Sequence, residues 1–159
     1  MIDKISNMIT HRPRRNRKNQ AIRSLVQEHN VLVSDLIYPV VLNDGKNNKT
    51  EIKSMPGIYR WTLDLLLKEI ESCLKLGITT FAPFPNIEEK LKNKTASESW
   101  NKKGIYLRAI KEIKKQFPEA ILMTDVAMDP YSSDGHDGYV KDGEILNDET
   151  LKILARMAV

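Results

Sequence analysis

The chain holds a single cysteine, Cys73, in 159 residues, which excludes an internal disulfide framework. No apolar run approaches the ~20 residues that a membrane-spanning helix needs. The first residues, MIDKI, lack the apolar stretch of a secretory signal. Neither a GxGxxG dinucleotide fingerprint nor a GxxxxGKS or GxxxxGKT phosphate loop occurs anywhere. Aromatics are sparse at 6%, and none interleaves the basic run at residues 12–18, so that run has no platform for stacking bases. What remains is enough for one domain with a real core, 41% hydrophobic and 29% charged. The expectation is a soluble, cytoplasmic protein.

Charge is unevenly spread. Residues 1–20 carry six Lys/Arg against one Asp, a local +5, which leaves 19 basic and 20 acidic residues, or −1, in residues 21–159. The basicity therefore sits in an N-terminal arm, with RPRRNRK at residues 12–18 as its centre. Such a run can bind phosphates, but a solvated arm, or one that packs against another subunit, is the favoured reading.

Helical spacing of Ile22, Leu25, Val26 and His29 predicts a helix over 18–29. Residues 35–42 form a nearly continuous apolar run, as in a strand buried on both faces, and NDGK at 43–46 is a turn leading to a hairpin return over 49–53. Thr62 is placed to cap a helix over 63–76 with the stripe Leu63, Leu66, Leu67, Ile70 and Leu74, and Gly77 suits its C-terminal stop. Cys73 falls in that pattern and is expected to be an inert core thiol. A second strand is expected over 78–84 and a long polar surface loop over 86–103. A helix follows over 104–117 on Ile105, Leu107, Ile110, Ile113 and Phe117, then a third strand over 120–126. Asn147 caps a last helix with the stripe Leu151, Leu154 and Ala158.

Strands separated by helices imply a parallel sheet. The strands begin near 35, 78 and 120, a repeat of about 42 residues. Eight such units would make a closed (β/α)₈ barrel of ordinary size, on the order of 340 residues. Three strands cannot close one. The expected fold class is therefore α/β, the N-terminal part of a (β/α)₈ barrel. The N-terminal arm and first helix occupy residues 1–30, and the first three β/α units occupy residues 31–159.

The densest chemistry is DVAMDPYSSDGHDG, residues 125–138. Asp125, Asp129, Asp134, His136 and Asp137 fall within thirteen residues, directly after the third strand. Carboxylates gathered at one strand end repel unless a cation or a shared proton relieves them. Oxygen ligands favour hard cations such as Mg²⁺ over Zn²⁺. An EF-hand is excluded, because counting Asp129 as its first position puts Val140 at the twelfth, where a Glu is required. A plain Asx/Gly turn cluster is the alternative reading.

The same loop resembles the metal loop of the porphobilinogen synthase (5-aminolevulinate dehydratase) family. Other segments match that family in order: RPRR at 12–15, DLIYP at 35–39, SMPGIYR at 54–60, LLLKE at 65–69 and LNDET at 146–150. The resemblance implies a (β/α)₈ barrel whose N-terminal arm wraps a neighbouring subunit, usually in a homo-octamer. It implies condensation of two 5-aminolevulinate molecules to porphobilinogen in tetrapyrrole (haem) biosynthesis. Zinc-dependent members carry three Cys at the positions of Ala127, Asp129 and Asp137. The Asp-type loop instead implies Mg²⁺ on Asp129 and Asp137, with His136 as a second-shell partner, or no metal at this position, and argues against catalytic Zn²⁺. Asp125 matches an active-site Asp of the family, in proton transfer or substrate contact.

Family chemistry also needs two Schiff-base lysines, which must be neutral to attack and hence desolvated. No lysine of this chain falls at the end of a buried strand. The chain by itself is expected to be inactive, with those lysines in a portion beyond Val159. Two other readings stand beside this one: a non-catalytic fragment that only assembles, and a basic-arm nucleic-acid module.

Overall fold

A computed structural model describes residues 13–159. The start of the basic arm, including Arg12, lies outside the described residues. The chain divides into two units at the boundary between Leu32 and Val33.

In the first unit the expected helix over 18–29 shortens to α1, Gln20–Leu25. The Asn19 side chain caps it by accepting the Ile22 N–H at 2.9 Å. None of its residues is buried, and Leu25 is 84% exposed. So short a helix gains little from propensity alone, and without burial it does not extend.

In the second unit a five-stranded sheet has the order β2-β3-β1-β4-β5. Its strands are β1 (Ile37–Asn43), β2 (Lys49–Glu51), β3 (Tyr59–Thr62), β4 (Thr80–Pro85) and β5 (Ile121–Leu122). β1 pairs in parallel with both β3 and β4, and β4 in parallel with β5. The expected return arm over 49–53 exists as β2, but it pairs antiparallel with β3 and not with β1. β3, unread in the sequence because SMPGIYR resembles a loop, occupies the place beside β1. It meets only Val41, Leu42 and Asn43, so residues 37–40 have a partner on one side alone.

Two helices cover one face of the sheet, α2 (Leu63–Lys75) and α3 (Ile105–Gln116). α2 buries Leu66, Ile70 and Cys73, and Leu63, Leu67 and Leu74 pack at the edge of that stripe. Burial, then the charge of Glu69, pushes the Cys73 thiol up, as an inert thiol requires. Thr62 precedes α2 but does not cap it. Its hydroxyl accepts from the Asn48 N–H at 3.0 Å and donates to Asn48 O at 3.1 Å, tying the β1–β2 loop to β3. Gly77 ends α2 at φ +90°, a conformation that suits glycine. Against α2 and α3 lie Val40, Leu42 and Phe81 of the strands, all at most 1% exposed.

Strand periodicity puts alternate side chains on the opposite face. There Ile37, Phe84 and Ile121 stay exposed, so β1 is buried on one face and not on both. The expected third strand over 120–126 shrinks to two residues for a related reason: among the described residues β5 has β4 on one side and no partner on the other.

The last element is α4 (Asn147–Met157). Asn147 is its first helical residue and not its cap, and its buried residues are Thr150 and Ile153, with Leu151 left 55% exposed. Ahead of α4 a two-stranded hairpin joins β6 (Tyr139–Lys141) and β7 (Glu144–Leu146). Asp142 and Gly143 both take positive φ in its turn, the geometry that matches strand twist.

Candidate active site

β4 delivers β5 to the edge where the carboxylate loop begins. The Ile121 N–H donates to Thr79 O and the Met123 N–H to Phe81 O, each at 2.9 Å. After Met123 the backbone leaves the sheet. It is caught again at Met128, which is fully buried, and at Tyr131 and Ser132, 3% and 2% exposed. Two apolar anchors sunk in the core thus carry Asp129 and Pro130 across the surface on a turn, closed by the Tyr131 and Ser132 N–H groups on Met128 O.

The polar stretch over 86–103, expected as a plain surface loop, is part of this construction. Asn93 N donates to Tyr131 O at 3.2 Å, and Ser133 N donates to Asn93 O at 3.3 Å. Lys94 reaches both Asp134 (3.6 Å) and Val140 O (3.3 Å). Asn93 and Lys94, which make these contacts, lie in a polar stretch with no apolar periodicity, so nothing local in the sequence marks this role.

Asp137 is the organising carboxylate. One of its oxygens, Oδ1, accepts from the Met128 N–H at 2.9 Å and the Asp129 N–H at 3.2 Å. That folds residues 136–138 back over the loop start and puts Asp137 beside Asp129. Burial, then the charge of Asp137 and a hydrogen bond with it, then Asp125, push the Asp129 carboxyl above its ordinary value. Asp129, His136 and Asp137 line one open cavity of about 650 Å³ with Gly135, Gly138 and Thr150. His136 is exposed and makes no hydrogen bond or ion pair among the described residues. Asp134 takes a separate course: its N–H donates to Ser132 Oγ at 3.2 Å, and among the described residues its cationic neighbour is Lys94.

The two loop glycines serve different needs. Gly135 sits at φ +68°. Gly138 is buried, and a Cβ there would collide with Ile145 Cγ2. Thr150 completes the closure, accepting from the Tyr139 N–H at 2.9 Å and donating to Leu146 O at 2.7 Å.

Asp125 is exposed at the start of the loop, and its N–H donates to the hydroxyl of Tyr106 on α3 at 3.3 Å. The apolar spacing phases the helix on Ile105, Leu107 and Ile110, which leaves Tyr106 off the expected stripe. The buried face is Ile105, Tyr106, Ala109 and Ile113.

Among the described residues no group of three or more His, Cys, Asp or Glu is arranged to hold a metal ion. Asp129 and Asp137 are brought together as a pair, with one oxygen of Asp137 committed to backbone. Every described lysine is exposed except Lys92, which is half-buried and paired with Glu89 at 2.6 Å. None has the desolvated setting that would keep an amine neutral.

A sequence profile of the delta-aminolevulinic acid dehydratase family matches residues 10–159. The chain is 47% identical over 150 residues to the delta-aminolevulinic acid dehydratase of Chlamydia pneumoniae, covering 94% of this chain and 45% of that protein. It is 42% identical over 151 residues to the chloroplastic enzyme of Glycine max, covering 93% and 36% respectively. Among solved structures it superposes with TM-score 0.88 on the Toxoplasma gondii enzyme in complex with the product porphobilinogen. The two are 46% identical, and the match covers 95% of this chain and 43% of that one. The chain thus spans less than half the length of these relatives. Its parallel sheet with helices on one face is that of part of their (β/α)₈ barrel.

Proposed function

We propose a function from one premise: the chain belongs to the delta-aminolevulinic acid dehydratase family. On that premise it forms one wall of a porphobilinogen synthase active site. The whole protein condenses two 5-aminolevulinate molecules to one porphobilinogen with release of two waters, a lyase reaction of haem and porphyrin biosynthesis. The observation that carries this reading is the loop over 125–138. It is held at the carboxyl end of a parallel strand, where such folds place their chemistry, and it presents three neighbouring carboxylates.

Asp125 is the catalytic residue of this wall, placed for proton transfer at the substrate. Asp129 and Asp137 would hold Mg²⁺, which takes one or two carboxylates and completes its shell with water. Such an ion would supply the positive charge that relieves their repulsion. Their all-oxygen donor set, without a cysteine or an engaged histidine, does not suit catalytic Zn²⁺. His136 serves beside them as an outer partner. The Schiff-base lysines come from chain outside these residues, consistent with the exposure of every described lysine but Lys92.

Residues 1–30 form the arm through which copies assemble, as an octamer. The exposed apolar side chains nearby, Leu25 and Val31 at 84% and 83%, support this part of the reading. No described helix is long and apolar enough to cross a membrane, and the reading places the protein in the cytoplasm.

A protein extended over its relatives' length is expected to form porphobilinogen from 5-aminolevulinate, and the 159-residue chain of verified mass to form none. Failure of the extended protein would overturn the reading. A second reading, a non-catalytic assembly fragment, draws on the coverage of less than half of each relative. It predicts that the chain binds a separately made C-terminal portion without restoring turnover.

A further inference from the structure

Residues 123–127 join the sheet to the buried anchor at Met128. At one end the Met123 N–H is held by Phe81 O, and at the other the Met128 N–H is held by Asp137 Oδ1. Of the four residues between, among the described contacts, Asp125 alone has its N–H hydrogen-bonded, and the acceptor is the Tyr106 hydroxyl at 3.3 Å. The segment that carries the candidate catalytic carboxylate is therefore pinned at one point, and the pin comes from a helix on the covered side of the sheet.

Tyr106 is itself well fixed. It is 7% exposed, and its ring meets the Tyr131 ring edge-on at 6.3 Å and 65°. Tyr131 belongs to the loop, so α3 holds the loop twice, once by its backbone and once by an aromatic anchor. Tyr106, Tyr131, Thr124 and Asp125 line a common cavity of about 140 Å³. Burial, with the nearby charge of Asp125, keeps the Tyr106 hydroxyl protonated above its ordinary range, so it remains a neutral partner at the pH of the reaction.

A phenylalanine at 106 would fill the same core position beside Ile105, Ala109 and Ile113. Among the described residues, only the contact to Asp125 calls for the hydroxyl. We propose that Tyr106 is a positioning residue for Asp125: its buried hydroxyl accepts the Asp125 N–H and fixes where that carboxylate stands in the active site. The role in turnover rests on the function proposed above, whereas the hydrogen bond does not.

The test uses Tyr106→Phe in the whole protein. Hydrogen–deuterium exchange of a peptide spanning residues 123–127 is expected to quicken tenfold or more, with peptides from α2 unchanged. Steady-state kinetics with 5-aminolevulinate are expected to show kcat lowered about tenfold with KM within twofold, since substrate still binds but the carboxylate is less well placed. Tyr106→Leu, which also loses the ring contact, is expected to be slower and less stable, while Tyr106→Phe keeps its unfolding midpoint. Unchanged exchange in Tyr106→Phe overturns the proposal. So does faster exchange with unaltered kcat, or a fall in stability that accounts for the loss of activity. If the parent shows no turnover at all, the proposed function fails, and exchange alone decides whether Tyr106 holds Asp125.

Discussion

Two carboxylate-bearing turns leave the same edge of the sheet, and they are balanced in opposite ways. After β1, Asp44 meets Arg108 of α3 at 2.7 Å and also accepts the Gly45 N–H at 2.8 Å. Burial alone would raise its carboxyl, but these partners hold it below the ordinary value. After β5, Asp129 has Asp137 and Asp125 as its charged neighbours, and its carboxyl is held above the ordinary value. The first turn is a neutralised tie between β1 and α3. The second gathers carboxylates with no cationic partner on Asp129 or Asp137 among the described residues, a pattern common at ligand and reaction sites. Position at a strand end does not separate the two; the sign of the neighbouring charge does.

The two turns should differ most in their effect on turnover. Asp125→Asn in the extended protein should lower kcat by roughly 10²- to 10⁴-fold, the range for a lost acid–base group. Asp44→Asn should leave kcat within about threefold. Steady-state assays of both variants check the contrast.

Gly138→Ala comes next. Its Cβ would enter the space of Ile145 Cγ2, so a loss of about 1–3 kcal/mol is expected from overpacking, read by urea unfolding. Ile145→Ala in the same chain should recover most of it. Ile145 is 56% exposed and contributes little by itself.

Asp137→Ala removes the oxygen that accepts two backbone N–H groups and should cost about 1–2 kcal/mol. Arg108→Leu, at the neutralised turn, should cost no more than about 1 kcal/mol, since both partners of that pair are roughly half exposed. Similar losses in the two variants would erase the distinction between a loop organised by its carboxylate and one merely decorated by it.

The finest contrast is in pH. Asp44 titrates lower in the folded protein than in the unfolded chain. Its contribution to stability is present above the ordinary carboxylate value and is lost as pH falls below it. Asp129 titrates higher when folded. Its contribution is full below the ordinary value and is lost as pH rises through the raised one. Unfolding midpoints against pH for Asp44→Asn and Asp129→Asn should therefore deviate from the parent with opposite slopes. Mg²⁺ should flatten the parent's loss on the Asp129 side.

Much of the framework was legible in the sequence. α2 and the strand after it were set by Leu66, Ile70 and Phe81, whose apolar spacing matches what they bury. The carboxylate loop was also legible, because Asp and Gly at that density after an apolar run are rare in a simple turn. The sequence misled where partners decide structure. β5 is two residues long because strand length depends on a neighbour as well as on Val and Ile content. β3 was missed because its pairing with β1 is non-local. The β6–β7 hairpin carried an Asp-Gly signal at 142–143 that periodicity over so few residues does not amplify. Asp129 and Asp137 could be nominated from composition. That Asp137 spends one oxygen on the Met128 and Asp129 N–H groups could not, since that contact exists only once the loop has closed.

The central claim is that the loop over 125–138 belongs to an active site whose covalent groups lie outside this chain. Borohydride reduction of the extended protein with 5-aminolevulinate, followed by peptide mass mapping, tests it most directly. Substrate adducts are expected on lysines beyond residue 159 and on no lysine of residues 13–159. An adduct on one of the lysines of this chain would contradict it.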